Sequence, residues 1–199
     1  MSGSVTKLRV RDEDFLVVSM IERCPRTMMI RELLQNALEA MNAVPEGERV
    51  VELSARRRWG AQVGSLESRH RAEQSELYAM CDIAASIRNE SGLDRNFGMG
   101  AKVASLPSNQ LGMRYRSARD GVVQEVVIGK VGGIYGRLRR PGPDGELTEV
   151  LTVPEAELEA HDASADWIEV LLPTNEAGQD AVTNPHNGQP RTSPHWLVA

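Results

Sequence analysis

Two cysteines, Cys24 and Cys81, are too few for a disulfide framework in a chain of 199 residues. Each has an apolar residue or two beside it, which reads as buried packing in a reducing cytosol. Excess positive charge is also missing. The formal net charge is -5 and the sequence pI about 5.5, so neither nucleic acid nor an anionic membrane surface is indicated as a partner. No apolar run approaches the length of a membrane span, and the N-terminal MSGSVTKLRVRDED lacks the apolar core of a signal peptide. The expected setting is therefore soluble and cytoplasmic. Four histidines, His70, His161, His186 and His195, show no metal-ligand spacing with the cysteines. Ser105 and Ser108 lack the elbow context of a nucleophile. No internal repeat is present.

With 41% hydrophobic and 26% charged residues, the chain has the make-up of one globular domain with a sizeable core. That domain is expected over residues 1–173. From Thr174 onward Asn, Gly and Pro accumulate without a period, which reads as a tail or linker over 174–199. Two basic runs, Arg56 to Arg58 and Arg137, Arg139 and Arg140, read as solvated surface.

A short helix carrying Phe15, Leu16, Val17, Met20 and Ile21 should stop at Cys24-Pro25, since the residue before proline disfavours helix. A second helix is expected from about Thr27 to Met41, and "ERVVELSA" (Glu48 to Ala55) reads as a strand. "SELYAMCDIAASI" has Ser75 as an N-cap candidate and Leu77, Met80, Cys81, Ala84 and Ile87 at helical spacing. Farther on, successive strands are expected between turns at Asp120-Gly121 and Gly132-Gly133. "GELTEVLTV" and "DWIEVLLP" add more strands. Helices first and strands after them predict an α+β two-layer sandwich.

In the second helix, Met29, Ile30, Leu33, Leu34, Ala37, Leu38 and Met41 form a wide apolar stripe. Beside it, Glu32 and Asn36 stack four residues apart, with Glu39 one turn further on. Taken alone, these polar residues can simply be the solvent edge of an amphipathic helix. A second feature bears on that choice. In "NFGMGAKVAS", Gly98 and Gly100 stand immediately before a helix start at Ala101. Glycines so placed let backbone N–H groups approach a phosphate. Neither the Rossmann fingerprint nor the P-loop ending is present.

Together, "RELLQNALEA" and "GLDRNFGMGAKVAS" resemble the GHKL ATPase superfamily of gyrase B subunits, heat-shock chaperones, histidine kinases and MutL proteins. The first motif of that family is E-x-x-x-N-[AS]-x-[DE]-A, and Glu32, Asn36, Ala37, Glu39 and Ala40 match it. The resemblance implies the Bergerat fold: helices on one face of a mixed, mostly antiparallel sheet. It implies ATP as ligand, Asn36 as the residue that holds Mg²⁺, and Glu32 as the group that orients or deprotonates the attacking water. The family's ATP lid corresponds to about Arg88 to Gly100, with Gly98, Met99 and Gly100 cradling phosphate and Ala101 and Lys102 following. Lys102 is either a phosphate contact or a solvent-facing residue. ATP binding would switch an interaction with a second copy or another protein.

One family motif is missing. D-x-G-x-G, whose Asp reads adenine, should lie between Ala55 and Leu77, where this chain has "RRRWGAQVGSLESRHRAEQ". That interval is polar and aperiodic where a buried strand is required. For Gln62 to Gln74, codons exist under which a frame one base later spells an apolar strand ending in N-x-G-x-G, which points to a local frame error in the gene. A Gly-Thr before the last strand is also lacking. In gyrase and MutL relatives a lysine from a following domain completes the γ-phosphate site, and none follows "SPHWLVA", so the chain reads as a fragment or a truncated product. The expectation is an ATP-binding domain with Mg-dependent hydrolysis. The alternative is a degenerate, non-catalytic binding module that keeps the fold without a competent adenine pocket.

Overall fold

The computed structural model describes residues 11–42, 44–58, 61–68, 77, 80–81, 100–158 and 165–173. Helix α1 spans Glu13–Arg23, α2 spans Met29–Met41, and the six-residue α3 spans Gly100–Ser105. The strands are β1 Val51–Arg58, β2 Ala61–Ser68, β3 Met113–Arg119, β4 Val122–Val131, β5 Ile134–Arg137, β6 Arg140–Pro141, β7 Leu147–Thr148, β8 Val150–Thr152 and β9 Trp167–Leu172.

Local chemistry sets most of these boundaries. The Asp12 carboxylate accepts the Phe15 N–H at 2.8 Å and caps α1, with Glu13 and Asp14 in its first turn and Arg23 in its last. Pro25 then ends the helix at Cys24, as expected. The β3–β4 and β4–β5 hairpins turn on Asp120-Gly121 (φ 50° and 77°) and Gly132-Gly133 (φ 59° and 88°). Two successive positive φ values match the right-handed twist of the flanking strands, which is why these dipeptides predict the turns correctly.

The main sheet runs β1-β2-β9-β3-β4-β5, with β8 also paired to β4, and every described ladder in it is antiparallel. A separate two-stranded ladder joins β6 to β7. One face of the sheet carries the helices. Ile21 of α1, Met29, Ile30, Leu33 and Ala37 of α2, and Ala101 of α3 pack with Met113, Tyr115, Val126, Ile128, Val170 and Leu172. These strand residues alternate along the sequence, so they share one face of the pleat. The two-layer α+β sandwich is the observed architecture. The α2 stripe is narrower than the sequence pattern indicates, because Leu34 is half-buried and Leu38 is 60% exposed.

Two other expectations are corrected. The polar interval after Ala55 contains a strand: β2 pairs with β1 from Val51↔Ser68 to Arg58↔Ala61 and with β9 from Gly64↔Leu172 to Ser68↔Ile168. A strand hydrogen-bonded on both edges is specified by its neighbours more than by its own periodicity. The second basic run is a solvated surface only at Arg139, which is 68% exposed, while Arg137 and Arg140 are partly buried. Arg137 and Arg139 both reach Glu149, and Arg140 reaches Glu125 at 2.7 Å. The histidines, Gly98, Met99 and the tail from Thr174 lie outside the described residues, as does all of the helix expected at Ser75–Ile87 except Leu77, Met80 and Cys81.

The opposite face of the sheet has a small core of its own, formed by Ala118, Val123, Val153, Leu158 and Trp167. Beside it stands a charged row: Arg116 on β3 faces Glu125 on β4 and Glu169 on β9 in register. Arg116 Nε donates to Glu125 Oε2 at 2.7 Å, and both groups are buried. Gly112 leads into β3 at φ 128°, where a Cβ would meet Val127 Cγ1 at 2.6 Å. Gly112→Ala is expected to cost about 2 kcal/mol of stability through backbone strain, seen as a lower urea midpoint at unchanged slope.

Candidate functional site

The buried stripe of α2 fixes which way its polar edge points. With Met29, Leu33, Ala37 and Met41 in the core, Glu32 and Asn36 are left half-buried on the flank of the helix that α3 approaches. The small residues Ala101 and Ala104 are both buried, which lets α3 pack closely against α2.

The two sequence motifs meet at one contact. A Cβ placed on Gly100 would fall 2.0 Å from Glu32 Oε2 and 3.0 Å from its Cδ. The glycine therefore leaves room that the Glu32 carboxylate fills. Glu32 on one helix and Gly100 on another, far apart in sequence, are thus brought into van der Waals contact by the fold.

Lys102 is not a solvent-facing residue. It is 3% exposed, and its ammonium donates to the Met80 carbonyl, anchoring α3 to the segment that holds Leu77 and Met80. Ala101 is buried in the core. Glu39 is exposed and accepts a hydrogen bond from Gln35 Nε2 at 3.1 Å. The structure thus brings Glu32 to Gly100, sets Asn36 one turn away on the same flank, and gives Ala101 and Lys102 packing positions.

The cysteines divide. Cys81 is buried, with its thiol directed at the Leu77 carbonyl, as the sequence implies. Cys24 is only half-buried, and it lies near the Glu32 carboxylate. Burial pushes its thiol above the usual value, and the negative charge of Glu32 pushes it further. Glu32→Gln is expected to remove the second effect and lower that pKa. The check is the pH profile of Cys24 alkylation, which follows the thiolate fraction and should shift to lower pH.

Among the described residues, no group of three or more His, Cys, Asp or Glu side chains could hold a metal ion. Two oxygen-bearing side chains, Glu32 and Asn36, are what this flank of α2 offers.

No family model matches the chain, and no curated protein does. Among solved structures it is similar to the ATPase and transducer domains of DNA topoisomerase II from Balamuthia mandrillaris, with 13% identity, 74% of this chain covered and a TM-score of 0.46. It is also similar to the 43K ATPase domain of gyrase B from Thermus thermophilus, solved with an aminocoumarin, at 15% identity, 85% coverage and a TM-score of 0.41. In both cases the match spans 37% of the other chain.

Sequence reasoning missed the charged row on the far face. Glu125 Oε1 also accepts from Arg114 Nη1 at 3.0 Å and from Arg140 Nη1 at 2.7 Å, so three guanidinium groups surround one carboxylate. The signal was available in the hairpin. A two-residue turn at Asp120-Gly121 pairs Arg119 with Val122, and counting back along both strands sets Arg116 opposite Glu125.

No helix among the described residues is long and apolar enough to cross a membrane.

Proposed function

We propose that this chain is a GHKL-type ATP-binding domain that hydrolyses ATP slowly with Mg²⁺. The observation that carries the reading is the Glu32–Gly100 contact, because it joins the E-x-x-x-N helix to the glycine motif in one place. A lone carboxylate at a helix edge needs no function. A carboxylate seated against the glycine of a phosphate-cradling motif, with a carboxamide one turn away, has the parts of a phosphoryl-transfer wall.

In this reading Asn36 supplies a carboxamide oxygen to Mg²⁺, whose charge offsets that of the phosphates. Glu32 accepts a proton from the attacking water, or holds that water in line. Gly100 leaves the space in which the Glu32 carboxylate rests. Lys102 serves the site indirectly by locking α3 to the Met80 carbonyl. The biological output is an ATP-dependent change in contact with a second copy or another protein.

The test is equilibrium binding of ATP with Mg²⁺ to the purified chain, with Asn36→Ala as control. The expected result is saturable binding that the substitution lowers by at least tenfold. Absence of binding at millimolar ATP would leave the chain as a fold without a nucleotide pocket, which is the degenerate-module alternative.

A further inference from the structure

The three atoms nearest to a Cβ built on Gly100 all belong to one side chain: Glu32 Oε2 at 2.0 Å, Cδ at 3.0 Å and Cγ at 3.5 Å. A glycine can be required for its backbone angles or for the space it leaves. Gly100 lies in the helix α3, so its backbone is one that alanine adopts readily. It opens the helix α3, where alanine is the better helix former. Backbone conformation therefore gives no reason for glycine here. Space does.

We propose that Gly100 is a positioning residue for Glu32, setting where its carboxylate rests by lacking a side chain. The argument turns on which partner can move. The α2 backbone is held by Met29, Ile30 and Leu33 in the main core, and α3 by buried Ala101, Ala104 and the Lys102–Met80 hydrogen bond. A methyl group at position 100 would therefore be accommodated by rotation of the Glu32 side chain. Relief of a 2.0 Å approach to ordinary contact demands a displacement of more than an ångström at the carboxylate. A shift of that size in a reacting group can reduce a rate about 100-fold while leaving the fold intact. The catalytic half of this inference rests on the ATPase reading. The positional half does not.

Gly100→Ala separates these meanings. Its melting temperature should equal or exceed the parent's, and a variant that fails to fold would overturn the proposal, since the obstructing atoms are the end of a flexible side chain. ATP turnover should fall by about 10- to 100-fold with KM within a few-fold of the parent. Combining Gly100→Ala with Glu32→Asp should cost no more than the worse single change, because the carboxylate is already displaced. Full additivity, or unchanged turnover in Gly100→Ala, would count against positioning.

A second readout does not depend on ATP. The shift in Cys24 alkylation caused by Glu32→Gln is measured in the parent and again in the Gly100→Ala background. A changed shift shows that the carboxylate has moved relative to the thiol. An identical shift overturns the proposal. Were the parent to lack ATP turnover altogether, the ATPase reading would fail, and this thiol measurement would still decide the positioning question.

Discussion

Glu125→Ala should melt about 10 °C below the parent, the largest stability loss expected from a single change in this protein. Arg116 is 0% exposed and Glu125 only 3%, so neither charge can fall back on water when its partner is removed. Breaking a buried pair by deleting one member costs about 3–5 kcal/mol, because the survivor is left desolvated and unopposed. Here the survivors are three: Arg114, Arg116 and Arg140 all reach Glu125, and without it they also repel one another. Glu169 lies 4.0 Å from Arg116 and offers part of the missing charge, which limits the loss. The same row makes the protein acid-sensitive. Burial alone would push the Glu125 carboxyl up, but the charges of Arg114 and Arg116 and hydrogen bonds from Arg116 and Arg140 outweigh it and hold the group below its ordinary 4.5. A carboxyl lowered on folding stabilises the folded state fully above its unfolded value, and that contribution disappears as pH falls through the folded value. The parent's melting temperature should therefore drop steeply below about pH 4.5, and the Glu125→Ala curve should be flatter there.

How much of this was legible in the sequence depended on whether a segment carries its own instructions. The α2 helix and the two hairpins do: a 3.6-residue stripe in one, paired positive-φ dipeptides in the others. β2 does not. Its sequence, AQVGSLES, is mostly polar and carries no clear strand period, yet it pairs with β1 along one edge and β9 along the other. It is a strand because β1 and β9 offer ladders on either side. Charges inside strands mislead for a related reason. Arg114, Arg116 and Glu125 look like an outward-facing polar edge until the segment from β8 to Leu158 covers that face. The candidate site shows the same division. Its residue types were visible as motifs, but the seating of Glu32 on Gly100, and the recruitment of Lys102 to Met80 rather than to solvent, are properties of helix packing.

Glu32→Gln should leave ATP binding within a few-fold of the parent and reduce turnover by about 100- to 10,000-fold. Glutamine has the shape of glutamate, so it still fits beside Gly100 and should not disturb α3. What it loses is the ability to take a proton. A positioned general base is worth that factor, equivalent to about 3–5 kcal/mol of barrier at 25 °C. Asn36→Ala should behave in the opposite way, losing binding first, because its carboxamide is assigned to the metal–phosphate assembly and not to the water. The pair of outcomes carries more than either alone. Binding lost in Asn36→Ala and turnover lost in Glu32→Gln would assign the two polar residues of one helix face to two separate tasks. Were Glu32→Gln to turn over ATP like the parent, Glu32 would be a packing residue whose contact with Gly100 serves the α2–α3 interface, and the base would have to be sought elsewhere. The Cys24 thiol keeps that test free of ambiguity, since its alkylation profile should shift in Glu32→Gln whether or not ATP is present.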